Sequence, residues 1–127
     1  MKAVYATELK PGTFILLEQE PCTVKSIDIS KTGKHGASKC RIEAIGIFDN
    51  KKRIVVMPGS ERLEIPLIEK KRAQVLSINK EKNMASVMDL ETFETFDIAI
   101  DQGLEIEEKN NVEYWQFGNK KVIKRVV

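Results

Sequence analysis

The chain has 127 residues, of which 42% are hydrophobic and only 6% aromatic, with 21 Lys and Arg against 19 Asp and Glu. That length holds one ordinary domain or two small ones, and a formal net charge of +2 is too small for a general polyanion binder, which spreads basic residues widely. No apolar run reaches the length of a membrane span, and the amino terminus lacks a signal-peptide core. A single histidine and two cysteines without C-x-x-C spacing argue against a metal site. The expectation is a cytoplasmic protein with Cys22 and Cys40 as buried thiols.

In chain order, alternating apolar and polar residues predict strands over 14–17, 22–29, 40–48, 53–57 and 63–67. Lys10-Pro11-Gly12, Glu20-Pro21, Asp49-Asn50 and Pro58-Gly59 supply the turns between them. Five short strands within seventy residues suggest a small barrel, which hides sheet edges by closing on itself. Glu69-Lys70-Lys71-Arg72, following Pro66, reads as a charged hinge, with the domain boundary between residues 69 and 70. The pattern then restarts over 73–78, 84–88, 95–100, 104–108, 112–117 and 121–127, with turns at 79–83 and Gly118-Asn119 and a loop at 89–94. Both halves read as all-β, and the periodicity carries no further than that.

The most informative stretch is Ser30-Lys31-Thr32-Gly33-Lys34-His35-Gly36-Ala37-Ser38-Lys39. Two glycines permit a sharp reversal and set Lys34 at its apex. From Ser30 to Arg41 there are four formal positive charges, on Lys31, Lys34, Lys39 and Arg41, and no acid. Three readings of the tip follow from its residues. It is an ordinary solvated hairpin, a phosphate cradle, or a catalytic Lys–His pair. The phosphate cradle fails, because Asp28 stands where the Walker pattern needs its first glycine and His35 stands where it needs Ser or Thr. The catalytic pair lacks a nucleophile or carboxylate to complete it.

A second constellation lies near the carboxyl end. Tyr114, Trp115 and Phe117 sit beside Lys120, Lys121, Lys124 and Arg125, the composition of a single-strand platform. Strand alternation places Trp115 and Phe117 together inside the barrel and turns Tyr114 and Gln116 outward, which leaves Tyr114 as the stacking residue. Phe93, Phe96, Met84 and Met88 read as core or loop-packing residues.

The stretch from Ser30 to Gly36 resembles, residue for residue, the modification loop of the translation initiation factor 5A family. Met57-Pro58-Gly59, the junction Ile65-Pro66-Leu67-Ile68-Glu69-Lys70-Lys71 and the following Ala73-Gln74-Val75-Leu76-Ser77 extend the likeness to its archaeal branch across essentially the whole chain. The resemblance implies an SH3-like barrel over 1–69 followed by an OB-fold over 70–127. It implies a non-enzymatic translation factor that binds the ribosome beside P-site tRNA and promotes peptide-bond formation, notably at consecutive prolines. Lys34, presented by Lys31, Thr32, Gly33, His35 and Gly36, would receive an aminobutyl group from spermidine through deoxyhypusine synthase, with no separate cofactor. Ala37 and Ser38 stand where eukaryotic members carry a second histidine and an alanine, which favours deoxyhypusine over its hydroxylated form, hypusine. Lys31, Lys39, Arg41 and Tyr114 are the expected RNA contacts, and the protein is expected to be a monomer. The competing reading is an unmodified RNA-binding β-barrel of ribosomal-protein type.

Overall fold

The computed structural model describes residues 2–32 and 37–127. Gly33, Lys34, His35 and Gly36 lie outside the described residues. The fold is all-β, two small barrels in sequence, and it divides into two compact units, Met1–Leu67 and Ile68–Val127.

The first unit contains β1 (Lys2–Tyr5), a short 3-10 turn (Ala6–Glu8), β2 (Phe14–Leu17), β3 (Glu20–Thr32), β4 (Ala37–Gly46), β5 (Lys52–Pro58) and β6 (Arg62–Ile65). Strands β2, β3, β4 and β5 form one antiparallel sheet in that order, and β1 pairs with β6 in a second. Ile15 and Leu17 from β2, Cys22 and Val24 from β3, Cys40, Ile42 and Ala44 from β4, and Leu63 from β6 meet in one core. A bulge in β3 between Val24 and Ser26 inserts Lys25 as an extra residue. It re-phases the strand, so that Ile27 and Ile29 lie on the face that Cys22 and Val24 occupied.

The second unit contains β7 (Glu69–Asn79), β8 (Met84–Asp89), β9 (Thr95–Ile100), β10 (Asn111–Phe117) and β11 (Lys120–Val126), closed into a barrel in the order β10-β11-β9-β8-β7. The expected hinge is part of β7: Glu69, Lys70 and Lys71 pair with Gln116, Trp115 and Tyr114. Residues 104–108, expected as a strand, form none. Leu104 and Ile106 still pack against the core, so their apolar alternation reflects burial without a ladder.

One buried carboxylate organises this barrel. Asp89 is 4% exposed. Its Oδ1 accepts the backbone N–H groups of Glu91 at 2.8 Å and Thr92 at 2.9 Å, and its Oδ2 accepts the Tyr114 hydroxyl. The same network closes the 89–94 loop, where Phe93 takes a left-handed φ of 62° and its N–H reaches the Asp89 carbonyl. Phe96 meets the Tyr114 ring edge-on, with centroids 5.4 Å apart.

Burial alone would raise the Asp89 pKa, but the hydrogen bonds from Tyr114 and the Thr92 and Glu91 amides outweigh it and hold the carboxyl below its ordinary value. A depressed folded-state pKa gives stability that is present above the unfolded value, about 4, and is lost as pH falls through the folded one. Tyr114→Phe should therefore lower stability by about 1–3 kcal/mol at neutral pH and move acid unfolding to higher pH. Urea titrations followed by circular dichroism, at pH 7 and through the acid range, measure both effects; equal acid midpoints for the two proteins would contradict the assignment.

Candidate functional site

The basic stretch from Ser30 to Arg41 falls at the end of β3 and the start of β4. β3 and β4 pair from Cys22–Gly46 to Thr32–Ala37, the residues that flank positions 33–36, with one register shift at Lys25. β5 runs beside β4 from Ile45–Lys52 to Lys39–Pro58 and stops there. Beyond Lys39 the β3–β4 ladder continues through Lys31–Ser38, where the Ser38 carbonyl still accepts the Gly59 N–H, to Thr32–Ala37.

Alternation assigns the charged residues to faces. Asp28, Arg41 and Val56 form one cross-strand row on the outer face, and Ser30, Lys39 and Pro58 form the next. Lys39 and Arg41 are thus neighbours on one surface. Lys31 pairs with Ser38 on the opposite face, so the structure does not bring it to the other two.

Arg41 is not a bare cation. Its Nη1 donates to Glu43 Oε1 at 3.0 Å, and Lys52 Nζ lies 3.8 Å from the other oxygen of Glu43. Such exposed pairs are worth roughly 0–1 kcal/mol, so Arg41 can exchange Glu43 for another anion at small cost.

Two glycines root the ribbon by allowing close approach. A Cβ on Gly59 would fall 2.1 Å from Ser38 Oγ and 2.6 Å from Thr7 Cγ2. The Gly59 N–H donates to the Ser38 carbonyl at 2.9 Å, tying the turn after β5 to the β4 end of the arm. At the other end, a Cβ on Gly46 would lie 1.8 Å from Asp49 Oδ1. That space holds a two-pronged pair, Arg53 Nη1 to Asp49 Oδ1 at 3.1 Å and Nη2 to Oδ2 at 2.7 Å. The Arg53 hydrogen bond is the main reason that the Asp49 carboxyl is pulled down to about 2, with the Lys51 amide adding to it.

Cys22 and Cys40 are free, buried thiols in the core beneath this ribbon, and burial pushes both pKa values up. Among the described residues no group of three or more His, Cys, Asp or Glu is arranged to hold a metal ion. Nor is any helix among them long and apolar enough to cross a membrane.

Tyr114 requires a correction. It is 2% exposed and spends its hydroxyl on Asp89, so no base can stack on it. The expected phase of β10 was one residue out: Val112 and Tyr114 face the core, and Trp115 faces outward. Trp115 Nε1 donates to Glu113 Oε1 at 2.9 Å, and Lys70 and Lys124 lie over its ring at 4.7 and 5.3 Å. The signal that could have set the phase was Val112, an apolar residue two positions from Tyr114 that points to a Val-Tyr inner face.

These features define a small β protein of two barrels whose first barrel extends a basic ribbon. A family model described as "Translation initiation factor 5A-like, N-terminal" matches residues 2–61. Translation initiation factor 5A of Pyrococcus horikoshii is 44% identical over 119 residues, covering 89% of this chain and 85% of that protein. The factor of Archaeoglobus fulgidus is 42% identical over 125 residues, covering 97% and 96%. The solved structure titled eukaryotic translation initiation factor 5A from Methanococcus jannaschii superposes with a TM-score of 0.87 at 38% identity, over 99% of this chain and 94% of that one. The chain belongs to the translation initiation factor 5A family, a family of translation factors.

Because Gly59 touches both Ser38 and Thr7, Gly59→Val should disturb the arm where it is rooted. The expected outcome is a loss of about 1–3 kcal/mol, with the Gly59-to-Ser38 hydrogen bond broken. Amide hydrogen exchange along β4 reads this out, and unchanged protection near Ser38 would contradict it.

Proposed function

We propose that this translation factor binds the ribosome beside peptidyl-tRNA and promotes peptide-bond formation at slow steps through a Lys34 modified to deoxyhypusine or hypusine. The observation that carries the reading is the continuation of the β3–β4 ladder beyond β5, up to the residues on either side of the Gly33-Lys34-His35-Gly36 motif. A ribbon two strands wide is thin enough to enter a crevice that a folded barrel cannot.

In this reading the protein acts by positioning. Proline restricts φ, so a peptidyl-proline can rest away from its attack geometry. A lysine lengthened by an aminobutyl arm carries two protonated amines on a thin stem and can contact ribose and phosphate at the acceptor end of the tRNA. Holding reactants in place removes an entropic part of the barrier, while the ribosome performs the chemistry. Lys39 and Arg41, sharing one face of the ribbon, would bind backbone phosphates along its side. Lys31 would serve the opposite face, and His35 the tip. Deoxyhypusine synthase is the expected modifying partner, spermidine the aminobutyl source, and the cytoplasm the place of action.

Mass spectrometry of peptides from protein purified from its native source tests the modification. An aminobutyl adduct confined to Lys34 is the expected result, and bare Lys34 in native material favours an unmodified RNA-binding protein. Lys34→Arg should abolish function with the fold intact, since arginine does not accept the group; growth rescue of a depleted strain would refute the role. Lys39→Ala should lower ribosome affinity and reduce the slope of log K against log salt by about one. An unchanged slope removes Lys39 from the phosphate contacts.

A further inference from the structure

We propose that the free edge of β5 is a self-association surface, at which two copies of this chain pair antiparallel about a two-fold axis through Ile54. This goes beyond the translation role and rests on other residues.

β5 ends the sheet β2-β3-β4-β5, and its pairing with β4 sets the phase of its backbone. The Gly46 N–H donates to the Lys51 carbonyl across the two strands at 2.9 Å. Antiparallel pairs alternate between hydrogen-bonded and non-bonded, so Arg53, Val55 and Met57 turn their N–H and C=O groups to β4. Lys52, Ile54 and Val56 turn theirs to the open edge, where no backbone hydrogen bond reaches them among the described residues. Pro58 closes the edge at one end, having no N–H and giving its carbonyl to the Glu61 amide at 3.0 Å.

The side chains on the same residues are apolar where a monomer would place charges. Ile54 is 49% and Val56 63% exposed. Natural edges are blunted by lysine and proline, and here Lys52 and Pro58 guard only the two ends.

The edge is complementary to itself in one register. With Ile54 on the axis, Ile54 faces Ile54 of the second copy and Lys52 faces its Val56. Each of those pairs exchanges two hydrogen bonds, so every open backbone group of Lys52, Ile54 and Val56 is satisfied. No like charges meet: Lys52, already near Glu43, lies along an apolar side chain, and Arg53, clasped by Asp49, faces Val55. The strands run oppositely, so the two arms extend in opposite directions and both remain free. A single strand pair buries less than a standard interface, so association is weak, with half-dimerisation at about 0.1–1 mM.

Sedimentation velocity of the full chain from about 10 µM to 1 mM tests the proposal. The expected result is a weight-average mass that rises with concentration, and an Ile54→Lys variant whose association is weakened about tenfold or more by like charges on the axis. Disulfide trapping tests the register. Ile54→Cys places two thiols on residues about 5.5 Å apart at Cα, within disulfide range, whereas Val56→Cys separates them by about 13 Å or more. Mild oxidation should trap a dimer of the first and not of the second. A chain that stays monomeric to 1 mM overturns the proposal and leaves the edge to a strand of another protein. Equal trapping of both cysteine variants, or an Ile54→Lys variant that associates like the parent, also overturns it.

Discussion

The structure depends on the register of β3 against β4. This pairing is at once a wall of the first barrel, from Cys22–Gly46 outward, and the shaft of an arm, up to Thr32–Ala37. A strand inside a barrel must send alternate side chains to the core, and a slip of one residue would turn them all away. The barrel therefore fixes the register at one end, and the ladder transmits it to the other. Whatever the arm presents is aimed by the core beneath it.

The bulge at Lys25 shows how the two duties are reconciled. Cys22 and Val24 face the core, and strict alternation would put Ser26 and Asp28 there next. The extra residue moves Ile27 and Ile29 onto that face instead. Asp28 is thereby turned outward, opposite Arg41. Toward the base, the outer face carries Arg41 and Lys52 around Glu43, a largely self-compensated set. From Lys31 to Lys39 the sequence carries only positive charge and no acid.

The second barrel solves a different problem. Its closure leaves a carboxylate inside, and that carboxylate stays ionised because Tyr114 and two loop amides donate to it. Tyr114 is thus part of the frame, and the aromatic that faces outward, Trp115, has Lys70 and Lys124 over its ring. The composition of the 114–125 segment suggested a platform; its orientation makes one of the candidate residues a structural tether.

Much of this was legible in the residues. Strand alternation and turn dipeptides determined an all-β chain in two modules, and the two alternating runs determined the paired strands on either side of the Gly-Lys-His-Gly motif. These are local properties, set by two-residue periodicity and by the φ angles that glycine and proline permit. Which face each side chain occupies was decided only in the folded chain. Bulges at Lys25, at Leu76 and at Lys124 shift the phase of a strand midway, and a bulge depends on the partner strand. Tyr114 faces inward because β10 alternates from Val112, and Lys31 lies on the face opposite Lys39 because it pairs with Ser38. The roots of the arm were invisible in the same way, because Gly59 meets Ser38 and Thr7, and Gly46 makes room for Asp49 and Arg53, only once pairing has brought distant segments together.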